Sequence, residues 1–303
     1  IVAVVAVAAG VYFGVLNKGG SGDDPKVAQE RADKILASFK EKGGEVTYKT
    51  AEAPGKGLVL KDVVVTRKDA SGKPVTVNVG EVRINEYDWS NPKQPAFANA
   101  EYKAMRIPSI KESPQFKEFS SVTGLADVVI NAKATYKYDQ ASKTVELSTG
   151  DFEVESMGTL SITAKFDGVD MAQLEALQGT PDPTKLMGLL AAARIHGLRI
   201  AFKDSGASAK VLKFGASKEK KSEDELRQQA LAQIAAAKGA PFKIAREAGA
   251  AAETFIKTPG TFVIEAKPKA PFALAQLMTL MGKADPAAID RLTDDLGLTV
   301  SAK

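Results

Sequence analysis

Few residues in this chain could do covalent or metal chemistry. Its 303 residues include one histidine, His196, and no cysteine. That removes Cys-His nucleophiles, thiolate zinc sites and His-rich metal sites. A Ser-His-Asp triad would have to use His196, and no Gly-x-Ser-x-Gly turn accompanies it. His196 stands between Ile195 and Gly197, at the expected end of a helix, where an imidazole interacts favourably with the last carbonyls. Gly19-Gly20-Ser21-Gly22 is glycine-rich, but no strand precedes it and no Gly-Lys-Ser/Thr follows, so it reads as a linker and not a phosphate loop. The acidic clusters at Asp23-Asp24, Glu223 to Glu225 and Asp294-Asp295 sit at that linker and around helix ends, where capping and solvation account for them. No run of spaced acids and amides resembles a calcium loop. The expectation is a protein that is not an enzyme, with no catalytic residue, no cofactor and no metal.

Two groups of residues suit binding. Lys210, Lys213, Lys218, Lys220 and Lys221 cluster with one acid, Glu219, and with Leu212 and Phe214 interleaved. Such a patch could touch anionic headgroups, each lysine adding about 1 kcal/mol near a charged surface; the plainer alternative is a solvated loop. Val75, Val77, Tyr136, Tyr138, Ile162 and Phe166 fall on apolar strand faces and form a candidate apolar groove. The formal net charge of +4 is too small for this length to mark a nucleic-acid binder.

The elements that would position these residues can be read from periodicity. Ile1 to Leu16 carries no charge and reaches about 24 Å as a helix, so residues 1–17 are expected to be an uncleaved transmembrane anchor. Ala6-Val7-Ala8 also has the small-x-small form of a signal-peptide cleavage site. Residues 18–25 read as a linker, ending in Asp24-Pro25, a helix start. Val27 to Phe39 then recurs at helical spacing. Residues 26–168 form an antiparallel β-rich region, with alternation at Val75 to Val79, at Val82 to Ile84 and at Leu160 to Phe166. Val82 has the opposite parity to Val79, and a bulge at Gly80 would bring both groups onto one face. Residues 169–303 read as an α/β region. A helix is expected from Asp182-Pro183 to Ile195, stopped by Gly197, and another after the capping box Ser222-Glu223-Asp224-Glu225.

An internal repeat runs through that second region. Ala172-Gln173-Leu174, Leu177, Gly179 and Asp182-Pro183 recur with identical spacing as Ala275-Gln276-Leu277, Leu280, Gly282 and Asp285-Pro286. Each copy leads to Gly-Leu and a strand, at Gly197-Leu198 and Gly297-Leu298. The expectation is a β-α-α-β unit used twice, near 159–202 and 261–302. The fold class expected is α+β: an N-terminal transmembrane helix, an antiparallel β-rich domain, and a helical C-terminal half that carries the repeat.

The anchor, the helix Val27 to Phe39 and the strand series Leu58 to Val65, Val75 to Ile84 and Thr159 to Phe166 resemble the AsmA-like and YdgA-like single-pass envelope proteins. The resemblance implies a role in envelope lipid handling or outer-membrane assembly, with the protein in the inner membrane and its soluble domain in the periplasm. Two functions are carried forward. One is shelter or handling of a lipid or other amphiphile. The other is an accessory or scaffold subunit docked onto a larger membrane complex. The partners expected are the membrane, lipid, other subunits or a second copy, and no nucleic acid.

Overall fold

The computed structural model describes residues 24–41, 44–68, 72–91, 95–171, 173, 188–189, 191–276 and 285–303. Two compact units divide the chain, residues 1–137 with 152–155 and residues 138–151 with 156–303. The β-rich segment 26–168 thus contributes to both.

In unit 1 a helix, α1 (Pro25–Glu41), precedes β1 (Glu45–Thr47), β2 (Thr50–Glu52), β3 (Leu58–Lys68), β4 (Pro74–Tyr87), β5 (Phe97–Met105), two short helices α2 (Pro108–Glu112) and α3 (Pro114–Thr123), and β6 (Ile130–Asp139). The strands pair antiparallel in the order β1-β3-β4-β5-β6, with β2 also on β3. Asp24 caps α1 by accepting from the Lys26 backbone N–H at 2.8 Å, and Pro25 fits the first helical position because its missing N–H is not needed there.

The expected transmembrane helix is corrected by the fold. Among the described residues no helix is long and apolar enough to cross a membrane. The first of them, α1, has 17 residues and seven charged side chains, whereas a bilayer core asks for about 20 mainly apolar residues. Residues 1–17, on which the anchor expectation rested, lie outside the described residues. The single-pass membrane and periplasmic reading is left without a structural basis.

The core of unit 1 is a set of aligned strand positions. Leu58, Leu60, Val63 and Val65 of β3 are buried, and so are Ile84, Val82, Val79 and Val77 opposite them. Both strands change parity at the same level, where Asp62 takes a left-handed φ of 53° across from Gly80. Register is kept and neither strand gains a residue, so the parity change is shared between the two strands and is not the one-sided Gly80 bulge expected. One-sided irregularities lie elsewhere in unit 1: in β4, where pairing with β5 shifts between Ile84 and Glu86, and in β5, where Ala104 has φ 53° and pairing with β6 shifts between Tyr102 and Met105. The Ala104 N–H that this frees donates to Asn131 Oδ1 at 2.9 Å.

Helix α1 is fixed to this unit by a buried cation. Arg31 is 3% exposed. Its Nη1 donates to the Gly55 and Gly57 carbonyls at 3.0 and 2.5 Å, and its guanidinium lies 5.4 Å from the Trp89 ring centroid. Trp89 Nε1 in turn donates to the Lys56 carbonyl at 2.7 Å. One turn between β2 and β3 thereby holds both the helix and the β4–β5 loop. Burial lowers the Arg31 pKa, but a guanidinium stays charged across the physiological range.

In unit 2, β7 (Thr144–Val154), β8 (Gly158–Asp167), β9 (Arg194–Asp204), β10 (Thr261–Ala266) and β12 (Leu298–Ala302) follow one another across the sheet, and β11 (Phe272–Ala273) lies beside β9. The helices are α4 (Ala207–Glu219), α5 (Glu223–Lys238), α6 (Lys243–Lys257) and α7 (Pro286–Asp295). The capping box of α5 forms as expected, Ser222 and Glu225 each satisfying the other's backbone N–H. On one side of the sheet, α6 sets Phe255 edge-on against Phe202 and Phe262, with centroids 6.1 and 5.9 Å apart. On that same side Ile195, Ala266, Phe272 and Leu296 form a core cluster joined by Phe166, Leu198, Leu292 and Leu298.

The two strand pairs of the expected repeat have matching registers. Ile162 pairs with Ile200 and Ala164 with Leu198; Ile264 pairs with Val300 and Ala266 with Leu298. The glycines differ: Gly297 is left-handed, with φ 58°, ahead of β12, while Gly197 lies inside β9. Leu174 and Leu277, taken as equivalent core positions, lie outside the described residues.

Gly57 sits where a Cβ would collide with the Ile84 carbonyl oxygen. Gly57→Ala is expected to destabilise unit 1 by about 1–3 kcal/mol, the usual cost of forcing atoms into packed space, measured as a lower urea midpoint. An unchanged midpoint would show that the β2–β3 turn is not held as described.

Candidate functional site

Two features of unit 2 bring together side chains that could bind or react. The first lies where β8 ends and β9 begins. Lys165 pairs with Gly197 but Phe166 pairs with Ile195, so His196 is an extra residue in β9, a bulge. The bulge brings Arg194 and His196 to one carboxylate. Arg194 Nε donates to Asp167 Oδ1 at 2.6 Å and Nη2 to Oδ2 at 2.8 Å. His196 Nε2 lies 2.7 Å from Oδ2; an ionised carboxylate only accepts, which places the proton on Nε2. Asp167 is nearly buried, its side chain 9% exposed, against 54% for Arg194 and 30% for His196. The Arg194 fork, and then His196, hold the Asp167 pKa below its ordinary value against the opposing effect of burial. An aspartate and a histidine in contact form the base half of a hydrolytic site, but no serine, threonine or lysine hydrogen-bonds this histidine among the described residues. The arrangement is a charge-satisfied clasp between two strand ends.

This corrects the expectation for His196. It stands in a strand, and it binds a carboxylate instead of helix carbonyls. The helical spacing up to Ile195 was misleading, because Arg194 already opens β9. The cluster is marked in sequence only by Arg194 and His196 two apart, which presents both on one strand face once the strand is known.

The second feature is a pocket of about 470 Å³ opened by α4, α5 and α6. Val211, Leu212, Leu226, Ala230, Phe255 and Ile256 line it. Gly215 lets α4 approach α5 closely, since a Cβ there would meet Leu226 Cδ2 at 2.8 Å. Val211 is 58% exposed at its mouth, an exposed large apolar side chain beside an apolar cavity. The basic segment flanks it in part as a helix: Lys210, Lys213 and Lys218 lie in α4, while Lys220 is its left-handed C-cap and Lys221 follows in the connection to α5. Lys210 donates to the Ser156 carbonyl at 2.7 Å, and Lys218 lies 5.7 Å from the Phe214 ring centroid. Lys221 is held by Glu219 and Gln229 at 2.6 and 2.7 Å. The side chains of Lys213 and Lys220 make no hydrogen bond or ion pair among the described residues.

The residues taken as an apolar groove are divided between the units. In unit 1, Val77 and Tyr136 are core, 2% and 5% exposed, and Val75 is half-buried. The Tyr136 hydroxyl donates to the Pro95 carbonyl, and burial, with the charge of Asp88 second, raises its pKa. In unit 2, Tyr138 and Ile162 are half-buried, Tyr138 donates to the Val169 carbonyl at 3.4 Å, and Phe166 packs on the Ile195 cluster. Sequence reasoning missed the pocket among the helices, whose walls come from three consecutive helices, α4, α5 and α6, because periodicity within each helix does not say how the helices pack on one another.

A family model described as "Uncharacterized protein" matches residues 151–303, a stretch that contains the Asp167 clasp and every wall of the helical pocket. No curated protein matches the chain.

Because its folded pKa is depressed, Asp167 contributes stability above the ordinary value of 3.8 and loses it as pH falls through the folded value. Asp167→Asn is expected to cost about 1.5–3 kcal/mol at neutral pH, the range for hydrogen bonds to a charged group. The gap between wild type and variant should narrow in denaturant titrations below about pH 4. A gap that stays constant with pH would mean that the carboxylate charge does not hold these strands.

Proposed function

The chain belongs to that family of uncharacterized proteins, and we propose that its second unit binds an acidic-headed amphiphile without covalent chemistry. The observation that carries this reading is the apolar pocket of about 470 Å³ with Val211 exposed at its mouth, beside a helix rich in lysine. The volume falls in the range of small-molecule sites, roughly 300–1,000 Å³. Each methylene that an acyl chain buries there is worth about 0.8 kcal/mol. The headgroup stays at the wet rim, where Arg227 and Glu219 line the pocket, and Lys213 and Lys220 on the neighbouring segment have long flexible stems with which to reach toward it. In this reading the lysine-rich segment singled out in the sequence serves as an anion-facing surface beside the apolar cavity.

The test is titration of the full chain with a fluorescent fatty acid. Saturable uptake is expected. Val211→Asp, a charge at the pocket mouth, should weaken it by about tenfold or more, since a carboxylate in an apolar wall costs over 1.4 kcal/mol. Lys213→Glu with Lys220→Glu should weaken uptake of the fatty acid more than that of its uncharged methyl ester. Circular dichroism must show both variants folded. Absence of saturable uptake, or uptake indifferent to Val211→Asp, overturns the proposal.

A further inference from the structure

The other side of the unit 2 sheet is polar, and it is not the side on which Phe255 and the Ile195 cluster pack. There β7 to β10 form an open trough of about 370 Å³ lined by Glu146, Thr163, Lys165, Gly197, Arg199, Glu265 and Lys267 among others. We infer that this trough is a second ligand site, one that takes a small oxyanion, a carboxylate or a phosphate ester, on the guanidinium of Arg199.

The trough has a gap in its side-chain layer at Gly197. Gly197 does not have a left-handed φ, so backbone geometry does not call for glycine there. A Cβ on it would meet nothing nearer than the Ala266 carbonyl oxygen at 3.9 Å. Glycine inside a strand weakens the strand unless a ligand or another backbone comes close, and no described backbone fills this space. Lys165 stands opposite Gly197, and Arg199 is one rung along, between Thr163 on β8 and Glu265 on β10.

The charges leave one cation over. Lys165 pairs with Glu146 at 3.4 Å, and Lys267 with Glu265 at 2.9 Å. Arg199 makes no hydrogen bond or ion pair among the described residues, although Glu265 is its cross-strand neighbour. Three cations and two carboxylates therefore give the trough a net charge of +1. A guanidinium offers a planar fork of N–H donors that fits a carboxylate or phosphate in two-point contact. The Thr163 hydroxyl across the rung adds a donor or acceptor. A ligand centred over Gly197 would reach Arg199 on one side and Lys165 on the other. The site is separate from the helical pocket and draws on none of its residues.

The experiment uses the full chain, titrated by calorimetry with inorganic phosphate and, separately, with acetate, in buffer of physiological ionic strength. Saturable binding of at least one is expected, and the stronger of the two identifies the headgroup class. Arg199→Gln should weaken it by about tenfold or more, and Arg199→Lys should not restore it, because a point charge lacks the fork. Gly197→Val should remove binding by filling the gap, while thermal unfolding stays the same or rises, since valine suits a strand. Val211→Asp should leave this binding unchanged, which keeps it distinct from uptake in the helical pocket. No saturation by either anion at millimolar concentration overturns the inference. So does binding that survives both Arg199→Gln and Gly197→Val.

Discussion

A single extra residue, His196, sets what unit 2 can present on each side of its sheet. Without the bulge, β9 would keep one parity from Arg194 to Asp204, and Arg194 would point to the side that holds Phe166 and Ile195. With it, Ile195 joins the apolar cluster while Arg194 and His196 converge on Asp167. The bulge and the carboxylate support each other. A nearly buried aspartate needs strong donors, because an unpaired buried charge is costly. The bulge supplies both donors from one short stretch, and their bonds hold the bulge in place. Everything downstream inherits this register, including the position of Gly197 opposite Lys165 and the pairing of Leu198 with both Ala164 and Ala266.

Unit 1 solves a comparable problem differently. Its strands β3 and β4 change parity together, so no residue is extra and the apolar rows on both stay buried. One-sided shifts fall on either side of β5, at Ile84/Glu86 of β4 and at Tyr102/Met105 of β5 itself, where Asn131 satisfies the freed Ala104 N–H. A buried backbone donor left unpaired would cost as much as a lost hydrogen bond, and the asparagine removes that penalty. Arg31 does similar service for the turn at Gly55–Gly57, whose carbonyls face the helix and would otherwise be turned toward a packed interior.

The two proposed sites follow from this division of faces. Sheets with one covered side carry apolar residues there and polar residues opposite. The helices of unit 2 take the apolar side, and their own lysine-rich outer member opens a pocket away from the sheet. The polar side keeps matched ion pairs at Lys165–Glu146 and Lys267–Glu265, worth little for stability when exposed. That makes the leftover Arg199 more telling as a ligand contact than as a stabilising residue. The family match over residues 151–303 covers most of this machinery.

Local patterns did determine much of unit 2. The strands Thr261–Ala266 and Leu298–Ala302 stand at the two ends of the segment 261–302, where the expected unit begins and ends in a strand, and the Ser222–Glu225 box starts its helix as expected, because alternation and capping act within a few residues. The absence of cysteine and the lone histidine limited the chemistry from the outset. Sequence failed where a short apolar run fits two periods: the stretch up to Ile195 has helical spacing, and only pairing with Phe166 shows that Arg194 already belongs to a strand. The membrane span suggested by the apolar composition of residues 1–17 lies outside the described residues, and no described helix provides one. The clasp on Asp167, the clamp of Arg31 on Gly55 and Gly57, the pocket walled by Val211, Leu226 and Phe255, and the uncompensated Arg199 were decided by tertiary structure alone. The first three join residues from separate elements and the last depends on its neighbours across the sheet, and no local propensity specifies which atoms of different elements will meet.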